Sequence, residues 1–486
     1  MIHFFLTFLL LFTLPQAERK AIYSRLEKQS LAKQLAFSRL FPDTEEGKKA
    51  YKQACLLLQG KEDAPLPPLP SRLLDSLISA VAAHPDGGKV TFSAEELELI
   101  QTLSERFENR KLAGNKLTSE EEILKLPPEE IDLARALLIS QGSDVARLEA
   151  IFDIMALHIQ ARLRNGAGHL EMIEATTNFI FDEMGFRFPP KSSFTEEIDK
   201  FTSLPSVVDG RKGVCLGVSI LYLAIAQRLG IPLEVITPPG HIYVRYEGAG
   251  GPFNIETTAR GVHLPDRAYL NLEYLSLQHR SIREVVGMAH MNEAAAYWQN
   301  EQYETALSFY KKALPYMSED PLLHELMGYI YLLLGQEAEA KSFFAKGKLK
   351  PTSFAHDWLQ GKCDGKAIAL LFKKESKERN KLIAYRKEIE KMLVQWPEFK
   401  GGWFYLAACS LELGRTKDAM LGLEKYHSLY PSNPMVEYLL TEMYLDRGEY
   451  GKGWKHQKLV ASLFPNTTPS MIEEQRVKLL EKSYPD

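Results

Sequence analysis

Cys215, His241 and Glu256 supply, in chain order, a thiol, an imidazole and a carboxylate from which an acyl-transfer site could be assembled. Cys215 sits in DGRKGVCLGVSILYLAIAQRLG, within a turn of the start of an apolar helix. Free backbone N–H groups and the helix dipole favour a thiolate there, and Arg211 and Lys212 add positive charge nearby. The Cys215 N–H is also placed to meet a developing oxyanion. A lone cysteine in an apolar helix is more often a small hydrophobe, so the reading depends on its companions.

His241 directly follows Pro-Pro-Gly at the start of HIYVRY, at the end of an element rather than in its middle. A neutral imidazole there can take a thiol proton and later return it to a leaving amine. The third group depends on a hairpin. If Tyr246 pairs with Phe253 across EGAGGP, His241 lies opposite Thr258 and diagonal to Glu256. Alternation then puts His241, Asn254, Glu256 and Thr258 on one face, whereas a one-residue slip separates them. Glu256 in that register accepts the second imidazole N–H and holds the ring, with Asn254 as the fallback. Taken alone, Glu256 reads equally well as an exposed strand carboxylate.

These side chains need a helix and strands to hold them. Val214 to Ala226 is apolar nearly all round and stops at Gly230, so this helix must be enclosed. PLEVIT, HIYVRY and FNIETT read as strands, and ARLEAIFDIMALHIQARL and LEMIEATTNFIFDEM read as helices by their apolar period. Upstream, residues 18–143 read as helices separated by breakers. Ser93 and Glu96 form a capping box, LPPEEIDLARALLI starts a helix with proline in its first turn, PLPPLP is extended and HPDGGK is a turn.

KGVCLGVSILYLAIAQRLGIP, PPGHIYVRY and NIETTARG together resemble the transglutaminase-like core family, in particular its SirB-type bacterial branch. FIFDEMGFRF and FTSLPSVVDGRKG are similar to the same branch, and the resemblance covers about residues 145–270. It implies a papain-like α+β core over 144–280 with Cys215 as nucleophile, His241 as base and Glu256 as orienter; no cofactor and no metal are expected. Two departures stand: the family's usual third residue is aspartate, and no upstream glutamine supplies a second oxyanion donor. Members of the branch often lack recognised activity, and the branch commonly continues into tetratricopeptide-like helices.

The last third repeats. Ala294 and Gly328, Ala306 and Ala340, and Tyr310 and Phe344 are 34 residues apart, as are Pro397, Pro431 and Pro465, and Gly414 and Gly448. That is tetratricopeptide spacing. It predicts four helix pairs over 281–470, one of them degenerate around KLIAYRKEIEKMLVQWP, an irregular insertion near Thr352 to Ala367, and a tail over 471–486. The expected fold is thus an α+β transglutaminase-like core flanked by an N-terminal helical region and a C-terminal all-α repeat solenoid.

Composition narrows the partners. At 486 residues the chain exceeds one core, and 59 Lys and Arg against 63 Asp and Glu give a net charge of −4. No nucleic-acid footprint is expected; the partner is a protein or peptide held in the repeat groove. Cys55, Cys215, Cys363 and Cys409 lie far apart without metal-ligand or disulfide spacing. Phe4 to Leu14 is apolar and suits a signal peptide over 1–17, with a membrane anchor or a buried helix as alternatives. Export or membrane association follows from the first two, a cytoplasmic location from the third. Two functions remain open: a cysteine-dependent acyltransferase or amide hydrolase, or an inactive scaffold that works through its repeats.

Overall fold

The computed structural model describes residues 14–59, 75, 77–79, 89–189, 201–269, 277–373 and 378–463. The apolar segment from Phe4, PLPPLP, most of HPDGGK and the tail over 471–486 lie outside them. Contacts divide the chain into two units, Met1–Tyr269 with Leu277–Glu293, and Leu270–Ser276 with Ala294–Asp486.

The first unit begins with helices α1 (Gln16–Arg25), α2 (Leu31–Leu40), α3 (Glu45–Gln59) and α4 (Ala94–Ser104). Ser93 and Glu96 close the expected capping box, with the Ser93 N–H donating to Glu96 Oε2 at 2.7 Å and the Glu96 N–H to Ser93 Oγ at 3.2 Å. After α5 (Glu120–Lys125), Pro128–Glu130 makes only a 3₁₀ turn. The helix expected to begin at the prolines starts later, as α6 (Leu133–Ser140). Asp132 decides that start: its carboxylate caps the Arg135 N–H at 3.2 Å and is held by Asn109 and Asn115 at 2.8 and 2.9 Å. Helices α7 (Val145–Gln160), α8 (His169–Thr177), α9 (Leu204–Gly210) and α10 (Cys215–Leu229) follow.

The α10 helix is enclosed, as its all-round apolar pattern requires: Leu216 to Ala226 are all buried. It packs against α6, α7, α8, α9 and the strand β2 (Tyr243–Gly248). Gly230, at φ +73°, ends it in the left-handed conformation, and the Ile231 N–H returns to Ala226 O at 2.9 Å. At the same end Arg228 is buried, donating from Nε to Asp153 Oδ1 at 2.7 Å and from Nη1 to Ala224 O at 3.0 Å. Asp153 also accepts from Ser104 and Arg110, so this buried charge is paired and hydrogen-bonded.

The sheet comprises β1 (Leu233–Thr237), β2, β3 (Gly251–Ile255) and β4 (Gln278–Arg280), in the order β3-β2-β1-β4 with antiparallel neighbours. The ladder sets Tyr246 opposite Phe253 and Val244 opposite Ile255. Two details differ from the sequence reading. His241 precedes β2 instead of opening it, in a turn where its N–H donates to Pro238 O at 3.1 Å. β3 ends at Ile255, and Thr257–Ala259 turns into a 3₁₀ helix capped by Glu256.

Helix α11 (Ile282–Gln299) crosses the boundary between the units. In the second unit, α12 (Tyr303–Ala313) follows the end of α11; α13 (Pro321–Leu333) pairs with α14 (Glu337–Lys346). The expected insertion is partly helical, with α15 (Phe354–Leu359) and α16 (Gly365–Leu371), and the degenerate segment is the single helix α17 (Arg379–Gln395). Then α18 (Lys400–Glu412) pairs with α19 (Thr416–Leu429), and α20 (Pro434–Asp446) with α21 (Tyr450–Leu463). Among the described residues the pairs α13–α14, α18–α19 and α20–α21 pack closely, and α17 packs on α18.

The small residues of the period permit close crossings. A Cβ at Gly328 would stand 2.4 Å from the Phe344 ring, the aromatic position of the facing helix. Gly422 meets Trp403 O and Ala407 in the same way, at 3.0 and 3.1 Å. Glycine here buys interhelical distance, which a methyl group would take away.

Candidate active site

The thiol is positioned by a short, tightly held approach to α10. Arg211 takes a left-handed conformation at φ 51°, and its neighbours pair with Arg187: the Arg187 N–H donates to Arg211 O at 3.1 Å and the Gly213 N–H to Arg187 O at 3.2 Å. The Val214 N–H then donates to Phe201 O at 3.0 Å. Gly217 lets the Phe201 carbonyl lie against the helix, since a Cβ there would stand 2.5 Å from its oxygen. Cys215 is consequently the first residue of α10 and is partly exposed, whereas Cys55, Cys363 and Cys409 are buried.

Val214 precedes the helix and caps nothing with its side chain, so the N–H groups of the first turn have no intrahelical acceptor. They are the donors at hand for an oxyanion formed at Cys215. The expected charge from Arg211 is directed elsewhere. Its guanidinium is buried and donates to Met184 O at 2.9 Å, because the left-handed turn points the side chain inward.

His241 meets both partners. Its Nε2 lies 2.7 Å from Glu256 Oε2, and Cys215 is near enough to the ring to act on its charge. With Nε2 committed to the carboxylate, Nδ1 is the nitrogen left to the thiol. Burial opposes charge on the imidazole, yet interaction with Cys215, the hydrogen bond to Glu256 and the Coulomb pull of both groups raise His241 to about 9. For Glu256, burial works upward but the bonds from His241 and Thr258 prevail and hold the carboxyl at about 2.

Four donors converge on the Glu256 carboxylate. Oε1 accepts from the Thr258 N–H at 3.0 Å and from Thr258 Oγ1 at 2.5 Å; Oε2 accepts from Tyr269 Oη at 2.9 Å and from His241. The long glutamate arm is explained by its place before the 3₁₀ turn: one oxygen caps the turn while the other reaches across to the imidazole. Ser219, one turn into α10, shares a 2.9 Å hydrogen bond with Thr257 and so fixes the helix to the turn that carries Glu256.

Tyr269 was not legible as part of this group. Its ring lies near parallel to His241 at 6.0 Å and to Tyr243 at 4.2 Å, forming a wall behind the imidazole. Burial, with the adjacent Glu256 carboxylate, pushes its phenol far up, so it stays a donor. It lies between β3 and β4 in a segment with no periodic signal, and nothing in its spacing ties it to Glu256.

Asn254, the fallback orienter, is occupied away from the imidazole. It accepts from Arg245 Nε at 2.8 Å and donates to Leu264 O and Asp266 Oδ1 at 2.8 and 2.7 Å. Arg245 also reaches Asp266, so this neighbouring ladder position is a self-contained polar cluster. Cys215, His241 and Glu256 are brought together; Asn254 is not among them.

Residues 146–280 match the family described as the transglutaminase-like superfamily and form a domain of that kind. A UPF0162 protein of Xylella fastidiosa strain Temecula1 is 22% identical over 276 residues, covering 51% of this chain and 92% of its own. That of strain 9a5c is 22% identical over 255 residues, covering 47% and 87%. Among solved structures, pilF of Pseudomonas aeruginosa has a TM-score of 0.22 at 14% identity, covering 42% of this chain and 90% of its own. The TPR domain of P58(IPK) scores 0.21 at 14% identity, covering 96% and 98%. Scores this low leave the helix pairing to rest on the chain itself. Among the described residues no helix is long and apolar enough to cross a membrane.

Proposed function

We propose that the transglutaminase-like domain of residues 146–280 is a cysteine-dependent acyl-transfer or amide-hydrolysing centre, and that the helix pairs after it recruit the protein or peptide it acts on. The observation that carries the reading is His241, bonded to Glu256 and influenced by Cys215, with Cys215 at the uncapped start of α10.

In the proposed reaction the Cys215 proton rests on His241 Nδ1, and the Cys215 thiolate Sγ bonds to the carbon of a carboxamide. The carbonyl π pair moves to oxygen, and the oxyanion is met by the first-turn N–H groups of α10. When it collapses, the C–N bond breaks and the imidazolium proton passes to the leaving amine, leaving a thioester on Cys215. Water or a second amine then attacks that carbon, giving up a proton to His241, and the C–S bond breaks to restore the thiol. Water yields a carboxylic acid and an amine yields a new amide. Glu256 is a positioning residue throughout: it holds the Nε2–H and stabilises the imidazolium.

The competing reading is a scaffold with an ordinary thiol. Alkylation separates them, because the other three cysteines are buried and native labelling reports on Cys215. The enzyme reading expects labelling to remain fast below about pH 8.5, where a free cysteine is mostly thiol, and to change its pH profile in His241→Ala. The same profile in both proteins, rising only through the free-thiol range, would establish the scaffold.

A further inference from the structure

The second unit holds a group of side chains for which the repeat has no use. Glu437, in the first turn of α20, is fully buried, and its two carboxylate oxygens each meet an imidazole: His427 Nδ1 lies 2.6 Å from Oε1 and His456 Nδ1 2.6 Å from Oε2. The three come from α19, α20 and α21. Their candidate donor atoms all lie within 4.8 Å of one another, and the two rings are 5.0 Å apart and steeply inclined at 74°. His456 is buried and lies parallel to Tyr444, at 5.5 Å, while His427 is partly exposed and opens the group to solvent.

Repeat packing does not call for these residues. One period of 34 earlier the same positions are Leu393, Trp403 and Gly422, which are apolar or small. A buried carboxylate needs a compensating cation, and the ion pairs recorded for Glu437 among the described residues are with these two imidazoles alone. Two nitrogens and a carboxylate from three helices are a donor set suited to zinc and its neighbours, with solvent left to complete a tetrahedron. Bonds of about 2.0–2.2 Å to such an ion require donors roughly 3.3 Å apart, so the two 2.6 Å edges open by less than about 1 Å.

We infer that His427, Glu437 and His456 form a binding site for a divalent transition metal of the zinc class, which ties the last two helix pairs together. No cysteine is involved, and cysteine spacing gives no sign of the site.

The test uses the full chain carrying Cys215→Ser, so that the thiol contributes no binding, and Zn²⁺ alone as the probe, followed by equilibrium dialysis and thermal unfolding. Expected are one Zn²⁺ per chain, a midpoint for the second unit raised by about 5–10 °C at a hundredfold excess over Kd, and tetrahedral Co²⁺ absorption bands on substitution. His427→Gln changes the most exposed of the three and preserves the fold; with it the affinity should fall by at least about tenfold. Glu437→Gln, the isosteric change, should do the same. Absence of a bound equivalent, or equal affinity in His427→Gln, would overturn the site. So would a Glu437→Gln protein that loses stability equally with and without metal, since that marks a hydrogen-bonded contact only.

Discussion

Replacing Glu256 by glutamine keeps the shape of the side chain and removes its charge, and the structure fixes what must follow. The carboxylate accepts from four donors, two on each oxygen. Glutamine has one acceptor end and one NH₂ end. If the NH₂ faces Thr258, it opposes the Thr258 N–H, and a buried donor left without a partner costs about 1–3 kcal/mol. If it faces His241, it selects the tautomer with the proton on Nδ1, which cannot accept the Cys215 proton.

Either way the imidazole loses an anion, worth about 1–3 pKa units at this separation. His241 should fall from about 9 toward its ordinary value of 6.5. The imidazole C–H resonance, assigned by its loss in His241→Ala, reads this directly against pH. The linkage has a definite sign, because a histidine raised in the folded state stabilises it fully below about 6.5 and ceases to as pH rises through about 9. The parent should therefore lose stability over that window, and Glu256→Gln should lose less. An unchanged midpoint for His241 in Glu256→Gln would refute the reasoning.

Tyr269→Phe keeps the wall behind the imidazole and deletes one hydrogen bond to a carboxylate; urea unfolding of the first unit should show a loss of about 1.5–3 kcal/mol, and no loss would mean that the hydroxyl is not holding Glu256. Arg228→Leu leaves Asp153 without its buried partner at the far end of α10 and should cost about 3–5 kcal/mol in the same measurement; a neutral result would show that Arg110 compensates alone.

The elements that the sequence made legible are those with a strong period or a distinct terminator. The α10 helix is apolar all round and ends at Gly230, and the hairpin's turn allowed a register with Tyr246 opposite Phe253, which the ladder has. From that register Glu256 followed, but its surroundings did not. The ladder stops one residue short of it, and the backbone turn that lets glutamate both cap and reach is a local decision of Thr257–Ala259. Tyr269 and β4 come from segments too short or too irregular to carry a pattern. Asp132 shows the reverse error: two prolines attracted the helix start, whereas a buried cap with two asparagine partners set it later. The histidines of the last helix pairs went unnoticed because a metal was sought among cysteines, and only folding brings positions 427, 437 and 456 together.

The central claim is that Cys215 carries an acyl group with the help of His241. Intact-mass analysis of the full chain after brief exposure to an activated acyl ester, followed by peptide mapping, tests it most directly. The account predicts one acyl group as a thioester on Cys215, removed on addition of an amine with formation of the amide, and both steps strongly slowed in His241→Ala. An unmodified Cys215, or a thioester that forms and decays at the same rate without His241, would contradict it.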